Sequence, residues 1–289
     1  MLSQRLIVIS LSLAIIVFLL LKPAVSLASG LGLTFKTEFG TFFIPSNNPI
    51  FITVFPKKDP ELEKIVRKRL DHTTEFYGIV IKNFTTGQEY FLNAADKFAT
   101  ASVYKIMLMS TIYEMSKRNE IEIDKNISDR IYNMITVSSN EDAWYLADRV
   151  GWSTIQKFMS KSGLVDTTMG IPPTTTPKDV LTFLEKLKEQ TLVDKKSSLE
   201  MYKIMQDQKI NDRLPRLLPK NTKIAHKTGE LDDVRHDVGI VDTGKNVYAI
   251  ILMSKNVTNE YNVKETIAKL SKEIYDYFEN QWKTVPSIL

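Results

Sequence analysis

The sequence predicts an α+β fold: an antiparallel five-stranded sheet, flanked by terminal helices, with an inserted all-helical domain. Three observations lead there. Strand-like stretches at 76–84, 89–92, 223–229, 236–243 and 246–254 come from both ends of the chain. The span between them, 94–220, reads as helical throughout. Helical patterns at 59–72 and 262–282 enclose the set. Strands from both ends with helices in the middle pack most simply as one covered sheet beside a helical insertion, and the seam between the two is a natural cleft.

The elements follow in order. Arg5 precedes an apolar run at 6–21, and Lys22-Pro23 and the small residues Ser26 and Ala28 come next. A basic start, an apolar centre and a small-residue tail are the parts of an export signal, here with a cut after Ala28. The run has 16 residues, short of the ~20 that span a bilayer. The rival reading is an uncleaved anchor, in which the only membrane contact is through 6–21. Either way the rest of the chain is expected outside the cytoplasm, whether extracellular, periplasmic or membrane-anchored facing outside.

Residues 29–58 form an extended lead-in rich in Phe, Thr, Pro and Asn. Asp59-Pro60 then starts a helix, with an N-cap acid and proline at the first position. The turn at 85–88 joins the first two strands as a hairpin. In the helical span, Met107, Leu108, Ile112 and Met115 make one buried stripe, and helices are expected at 126–134, 141–150, 153–162, from Pro177, and at 197–208. The turn at 243–246 joins the last two strands. Residues 59–93 with 221–289 thus form a sheet domain, and 94–220 a helical one.

Composition narrows the chemistry. The 289 residues include no cysteine, which excludes disulfides, a thiolate nucleophile and Cys-based zinc. The three histidines, His72, His226 and His236, are scattered, so no metal is expected, and His226 and His236 read as strand-packing residues. Net charge is +4, and removing the two cations of 1–28, Arg5 and Lys22, leaves +2. That balance gives no support for nucleic-acid binding. The basic cluster Lys57, Lys58, Lys64, Arg67, Lys68 and Arg69 reads as a solvated helix face. The three Asn-x-Ser/Thr triplets, at Asn83, Asn126 and Asn256, read as chance matches.

Three short motifs carry the chemistry. Ser102 and Lys105 are three residues apart at the start of an apolar helix, so they share a face, and a buried lysine can take a serine proton. Alone, that spacing reads as a capping serine and a surface lysine. Ser138-Ser139-Asn140 precedes a helix and alone reads as its cap. Lys227-Thr228-Gly229 lies on a strand. They occur in order, 36 residues from Ser102 to Ser138 and 87 from Asn140 to Lys227, each in a fitting context of helix start, interhelical loop and strand.

This set resembles the class A-like serine β-lactamases and penicillin-binding proteins. The threonine-proline helix start Thr176-Pro177 and the stretch from Arg235 to Gly239 extend the likeness, which covers about 60–283. The resemblance implies a β-lactamase/transpeptidase-like fold and a serine hydrolase that works without a cofactor, as a monomer, on a small-molecule β-lactam or a cell-wall peptide. In it Ser102 is the acylated nucleophile, Lys105 its base, directly or through water, and Ser138 the proton donor to the leaving nitrogen. Asn140, Lys227, Thr228 and Gly229 hold substrate. The backbone N–H groups of Ser102 and Glu230 form the oxyanion hole, and Arg235 adds carboxylate binding.

One departure matters. Class A enzymes carry a deacylating glutamate on the loop after the second motif, and 162–174 here holds no glutamate, with Asp166 its only acid. Asp166, Glu141 and Glu230 are the candidate replacements. The sequence therefore predicts an enzyme that acylates and turns β-lactams over poorly. A D-Ala-D-Ala carboxypeptidase or transpeptidase, and a non-catalytic cell-wall binding protein of the same fold, are the alternatives.

Overall fold

The computed structural model describes residues 59–281 and the backbone of 24–28, 32–37, 40–45, 53–54 and 57–58. The chain divides into two compact units, Met1–Lys58 with Thr86–Gln88, and Asp59–Thr85 with Glu89–Leu289. In the first, β1 (Ala24–Ala28), β2 (Gly32–Thr37), β3 (Gly40–Pro45) and β4 (Thr53–Val54) pair antiparallel in sequence order, and β5 (Lys57–Lys58) follows. Residues 1–23, which bear most of the expected export signal, lie outside the described residues.

The second unit opens with α1 (Pro60–Leu70). Asp59 caps it, accepting from Glu61 N at 2.9 Å and Leu62 N at 3.3 Å. The helix buries Leu62 and Val66 and turns Lys64, Arg67 and Lys68 outward, where Lys64 and Arg67 pair with Glu61 and Glu63. Lys64, Arg67 and Lys68 are the solvated face expected of that cluster, whereas Arg69 is half-buried against Glu273 and the side chains of Lys57 and Lys58 lie outside the described residues. β6 (Phe76–Asn83) and β7 (Gln88–Leu92) form the hairpin.

The middle of the chain holds β8 (Phe98–Ala99), a 3-10 turn over Ala101–Val103, α2 (Tyr104–Lys117), α3 (Lys125–Thr136), α4 (Asn140–Val150), α5 (Trp152–Lys161), β9 (Thr174–Thr175), α6 (Pro177–Lys188) and α7 (Lys195–Gln206). It is not helical throughout: β8 pairs with β9 and ties the start of the span to the loop before α6. Then come β10 (Lys223–Leu231), β11 (Val234–Asp242), β12 (Val247–Lys255) and α8 (Glu260–Gln281).

The five strands of this unit pair antiparallel in the order β10-β11-β12-β6-β7, which leaves β10 at an edge. Side chains alternate across a strand, and both faces are buried. Val80 and Ile251, directly opposite each other, join Val238 and Ile240 against the central helices. Their neighbours Ile81 and Ile250 face Leu62, Val66, Ile267, Ile274 and Phe278 of α1 and α8. Each such side chain contributes about 1.5–3 kcal/mol on burial. Helix α2 is buried at every position from Tyr104 to Glu114, more widely than the single stripe expected, and takes Lys105, Ser110, Thr111 and Glu114 inside with its apolar residues, while Met115 is only partly buried. It is the fixed post on which the candidate site is built. No helix of the described residues is long and apolar enough to cross a membrane.

Candidate active site

The 3-10 turn places Ser102 between two buried residues, Ala101 and Val103, while Ser102 itself stays partly accessible. The regular helix starts only at Tyr104. Ala101 has φ +46°, a left-handed conformation that a side chain adopts at a cost and that persists where its surroundings enforce it. The enforcing contacts are visible. Thr100 N donates to Pro173 O at 2.9 Å, and β8 is paired with β9.

Lys105 lies one turn on and is fully buried. Its Nζ donates to Ser138 O at 2.7 Å, Asn140 Oδ1 at 2.7 Å and Ser138 Oγ at 3.4 Å. Burial pushes its pKa down to about 8. Ser102 Oγ has no hydrogen-bond partner among the described residues, so the direct Ser102–Lys105 bond that the spacing allowed is not made. Lys105 is turned to the second motif instead.

Ser138 precedes the helix cap at φ +57°. The cap itself is Ser139, which accepts from Asp142 N at 3.2 Å. The division of labour frees Ser138 to face the two lysines and puts Asn140 in the first turn of α4. With Oδ1 on Lys105, the Asn140 amide nitrogen has no described partner and is open to an incoming carbonyl.

The third motif sits on edge strand β10. Lys227 is fully buried, and its Nζ donates to Ser138 Oγ at 2.9 Å and Thr228 O at 2.9 Å. Burial first, and the charge of Lys105 second, hold its pKa well below the usual lysine range. The Thr228 hydroxyl has no described partner. Gly229 allows a close approach: a Cβ there would stand 3.1 Å from Thr100 O and 3.2 Å from both Ala101 Cβ and His236 Cδ2. A side chain here would crowd the turn that bears Ser102 by a few tenths of an ångström, so glycine suits this close approach of β10. Glu230 follows on the same edge strand, its carboxylate half-exposed and ion-paired with Arg213.

Arg213 is the residue that sequence reasoning missed. It is fully buried beneath β10, and it donates Nη1 to His236 O at 2.9 Å and Gly229 O at 3.5 Å, and Nε to Asp212 Oδ1 at 3.0 Å. Arg235, the expected carboxylate ligand, is not brought to the motif. Its guanidinium is taken by Glu260 and by the carbonyls of Leu231 and Val234. The reason is local: Arg235 is paired in register with Glu230, three residues along β10 from Lys227, and Glu260 opens α8 beside it.

His226 and His236 serve the scaffold, as expected. Nδ1 of His226 faces Asp237 Oδ1 at 2.8 Å, and its Nε2 faces Asn211 Oδ1 at 3.1 Å. The loop 162–176 is held by Asp179, whose Oδ2 accepts from Asp166 N at 2.9 Å and Thr167 Oγ1 at 2.7 Å. Among the candidate replacement bases, Asp166 and Glu141 are exposed at the surface. No group of three or more His, Asp or Glu among the described residues could hold a metal.

The sequence profile of the beta-lactamase enzyme family matches residues 60–130 and 125–278. The chain belongs to the beta-lactamase enzyme family. Solved structures agree on the fold. PBP-A superposes with a TM-score of 0.73 at 22% identity, over 79% of this chain and 100% of that one. A point mutant of PBP-A, an acyl-enzyme complex with penicillin G, gives 0.72 at 22%, over 78% and 100%. The β-lactamase of Sphaerobacter thermophilus gives 0.70 at 19%, over 75% and 97%. No curated protein sequence matches the chain. Membership in this family makes the protein a hydrolase of β-lactamase-like fold.

Proposed function

We propose that the protein is an exported active-site-serine hydrolase that forms an acyl-enzyme on Ser102 and releases β-lactam acyl groups slowly. The observation that carries this reading is the meeting of Lys105 and Lys227 on Ser138, with Lys105 three residues from Ser102, a partly accessible serine whose hydroxyl has no hydrogen-bond partner among the described residues.

The steps follow. Substrate lies along the free edge of β10. Lys227 and Thr228 take its carboxylate, and the Asn140 amide takes its acyl-side carbonyl. Ser102 Oγ attacks the scissile carbonyl, and its proton passes to neutral Lys105 through a bridging water or the Ser138 hydroxyl. Negative charge builds on the carbonyl oxygen, which the N–H groups of Ser102 and Glu230 receive. Ser138 returns the proton to the departing nitrogen. Hydrolysis then needs a base for water. The loop 162–176 brings no glutamate, and its one acid before Asp179 is exposed. Slow release is the consequence. A penicillin and a D-Ala-D-Ala peptide share an amide flanked by a carboxylate, so the site suits both. The export reading rests on residues 5–28 and places the work outside the cytoplasm.

Labelling with a fluorescent penicillin tests this. The intact chain should take the label and a Ser102→Ala variant should not. Equal labelling of both would overturn it. Release of D-alanine from a pentapeptide separates the carboxypeptidase from the pure β-lactam acceptor.

A further inference from the structure

We propose that His236 is a positioning residue of the acylation site. Through one neutral imidazole it fixes the backbone that seats Ser102 against β10. The proposal rests on the acylation reading above.

The tautomer is set by its partners. Nδ1 of His236 accepts from Ser254 N at 3.1 Å, so it carries no proton, and Nε2 donates to Ala99 O at 2.8 Å. The ring is fully buried. Burial pushes its pKa down to about 4, which keeps it neutral wherever the enzyme would work. Protonation would set a donor against the Ser254 N–H.

The position of the ring gives this bond its weight. Ala99 ends β8, two residues before Ala101 and three before Ser102. Ala101 holds a left-handed conformation that its neighbours must enforce. The same imidazole packs under Gly229, its Cδ2 3.2 Å from where a Cβ would stand, and edge-on to Phe98 with centroids 6.2 Å apart. One side chain on β11 thus touches the Ser102 segment, the Lys-Thr-Gly strand and, through Ser254, β12. The ladder between β11 and β12 runs only from Asp237↔Leu252 onward. Beyond it Ser254 bonds to side chain and backbone of Arg235 and His236 instead, with Oγ donating to Arg235 O at 2.6 Å. The sheet gives up regular pairing at this point, and the imidazole reaches across to the turn. The two oxyanion donors, on Ser102 and Glu230, lie on the two segments it clamps.

Two amide variants separate the bonds. In His236→Gln the terminal amide reaches about as far as Nε2 and can still donate to Ala99 O. In His236→Asn it stops near Nδ1, keeps an acceptor for Ser254 N and loses Ala99. Acylation by penicillin G is followed by intact mass, giving the first-order acylation constant and the dissociation constant of the non-covalent complex, with thermal melting alongside. The expected result is a fall of about tenfold or more in the acylation constant of His236→Asn, the scale of a small misplacement of reacting groups. The dissociation constant should stay nearly unchanged, and His236→Gln should recover most of the rate at similar melting temperature. Equal rates for His236→Asn and the intact chain overturn the proposal, as does a rate that follows melting temperature alone across the variants. An intact chain that takes no penicillin overturns the acylation reading itself, and this proposal with it.

Discussion

The amines of Lys105 and Lys227 meet at one hydroxyl: Ser138 Oγ lies 3.4 Å from the first and 2.9 Å from the second. Burial opposes the charge on both, and on Lys227 the charge of Lys105 adds to it. Lys105, brought down to about 8, can lose its proton in the mildly alkaline range. While protonated it cannot take a proton from Ser102. Acylation should therefore rise with pH through about 8. In Lys105→Ala this rise should vanish and the rate fall by about 10²–10⁴. Acylation constants measured across that range check both, and a flat profile for the intact chain contradicts the assignment.

Gly229→Ala puts a methyl 3.1 Å from Thr100 O and 3.2 Å from Ala101 and His236. Two of these neighbours belong to the backbone turn under Ser102, which cannot swing aside as a side-chain end would. The substitution should cost about 1–3 kcal/mol of stability and lower acylation by displacing Ser102 from β10. Denaturant unfolding and penicillin labelling measure the two effects. A variant of unchanged stability and rate shows that the close approach is not needed.

Asp179→Ala removes the acceptor for Asp166 N and Thr167 Oγ1 at the root of the loop 162–176. An unsatisfied buried donor costs about 1–3 kcal/mol. Urea unfolding should show a loss of that order, and Asp179→Asn, which keeps an acceptor oxygen, should lose less. Equal stability of both variants and the intact chain contradicts the role of this carboxylate.

Arg213 and Arg235 should part in their effects. Arg235 is committed to Glu260 and two carbonyls at the rim, and a partly exposed ion pair contributes at most about 1 kcal/mol. Arg213 is buried behind Gly229 and holds its carbonyl. Arg213→Ala should lower acylation and stability far more than Arg235→Ala. The reverse order would restore Arg235 to the substrate carboxylate.

Much of this was legible in the sequence because it is local or periodic. The five strands and their helices follow from alternation, from the N-cap of Asp59-Pro60, and from the turns at 85–88 and 243–246. Ser102, Lys105, Ser138, Asn140 and Lys227 stood out because three spacings recurred in order. What stayed hidden is set by long-range packing. Arg213 lies in a loop without periodicity, and only the folded chain slides it beneath β10. Arg235 sits in the right stretch, but its place beside Glu260 depends on where α8 begins. The pairing of β8 with β9 joins two-residue segments far apart in sequence, too short to show a pattern. The left-handed turns at Ala101 and Ser138 leave no mark, since neither residue is a glycine.

The central claim is that Ser102 is acylated readily and released slowly. The direct measurement is intact mass of the chain over time in a many-fold excess of penicillin G, with peptide mapping of the adduct and the remaining antibiotic quantified in parallel. The account predicts one penicilloyl group per chain, on the peptide that carries Ser102, persisting for hours while little of the excess is consumed. Complete consumption of the excess within minutes, with the free chain restored, would contradict it.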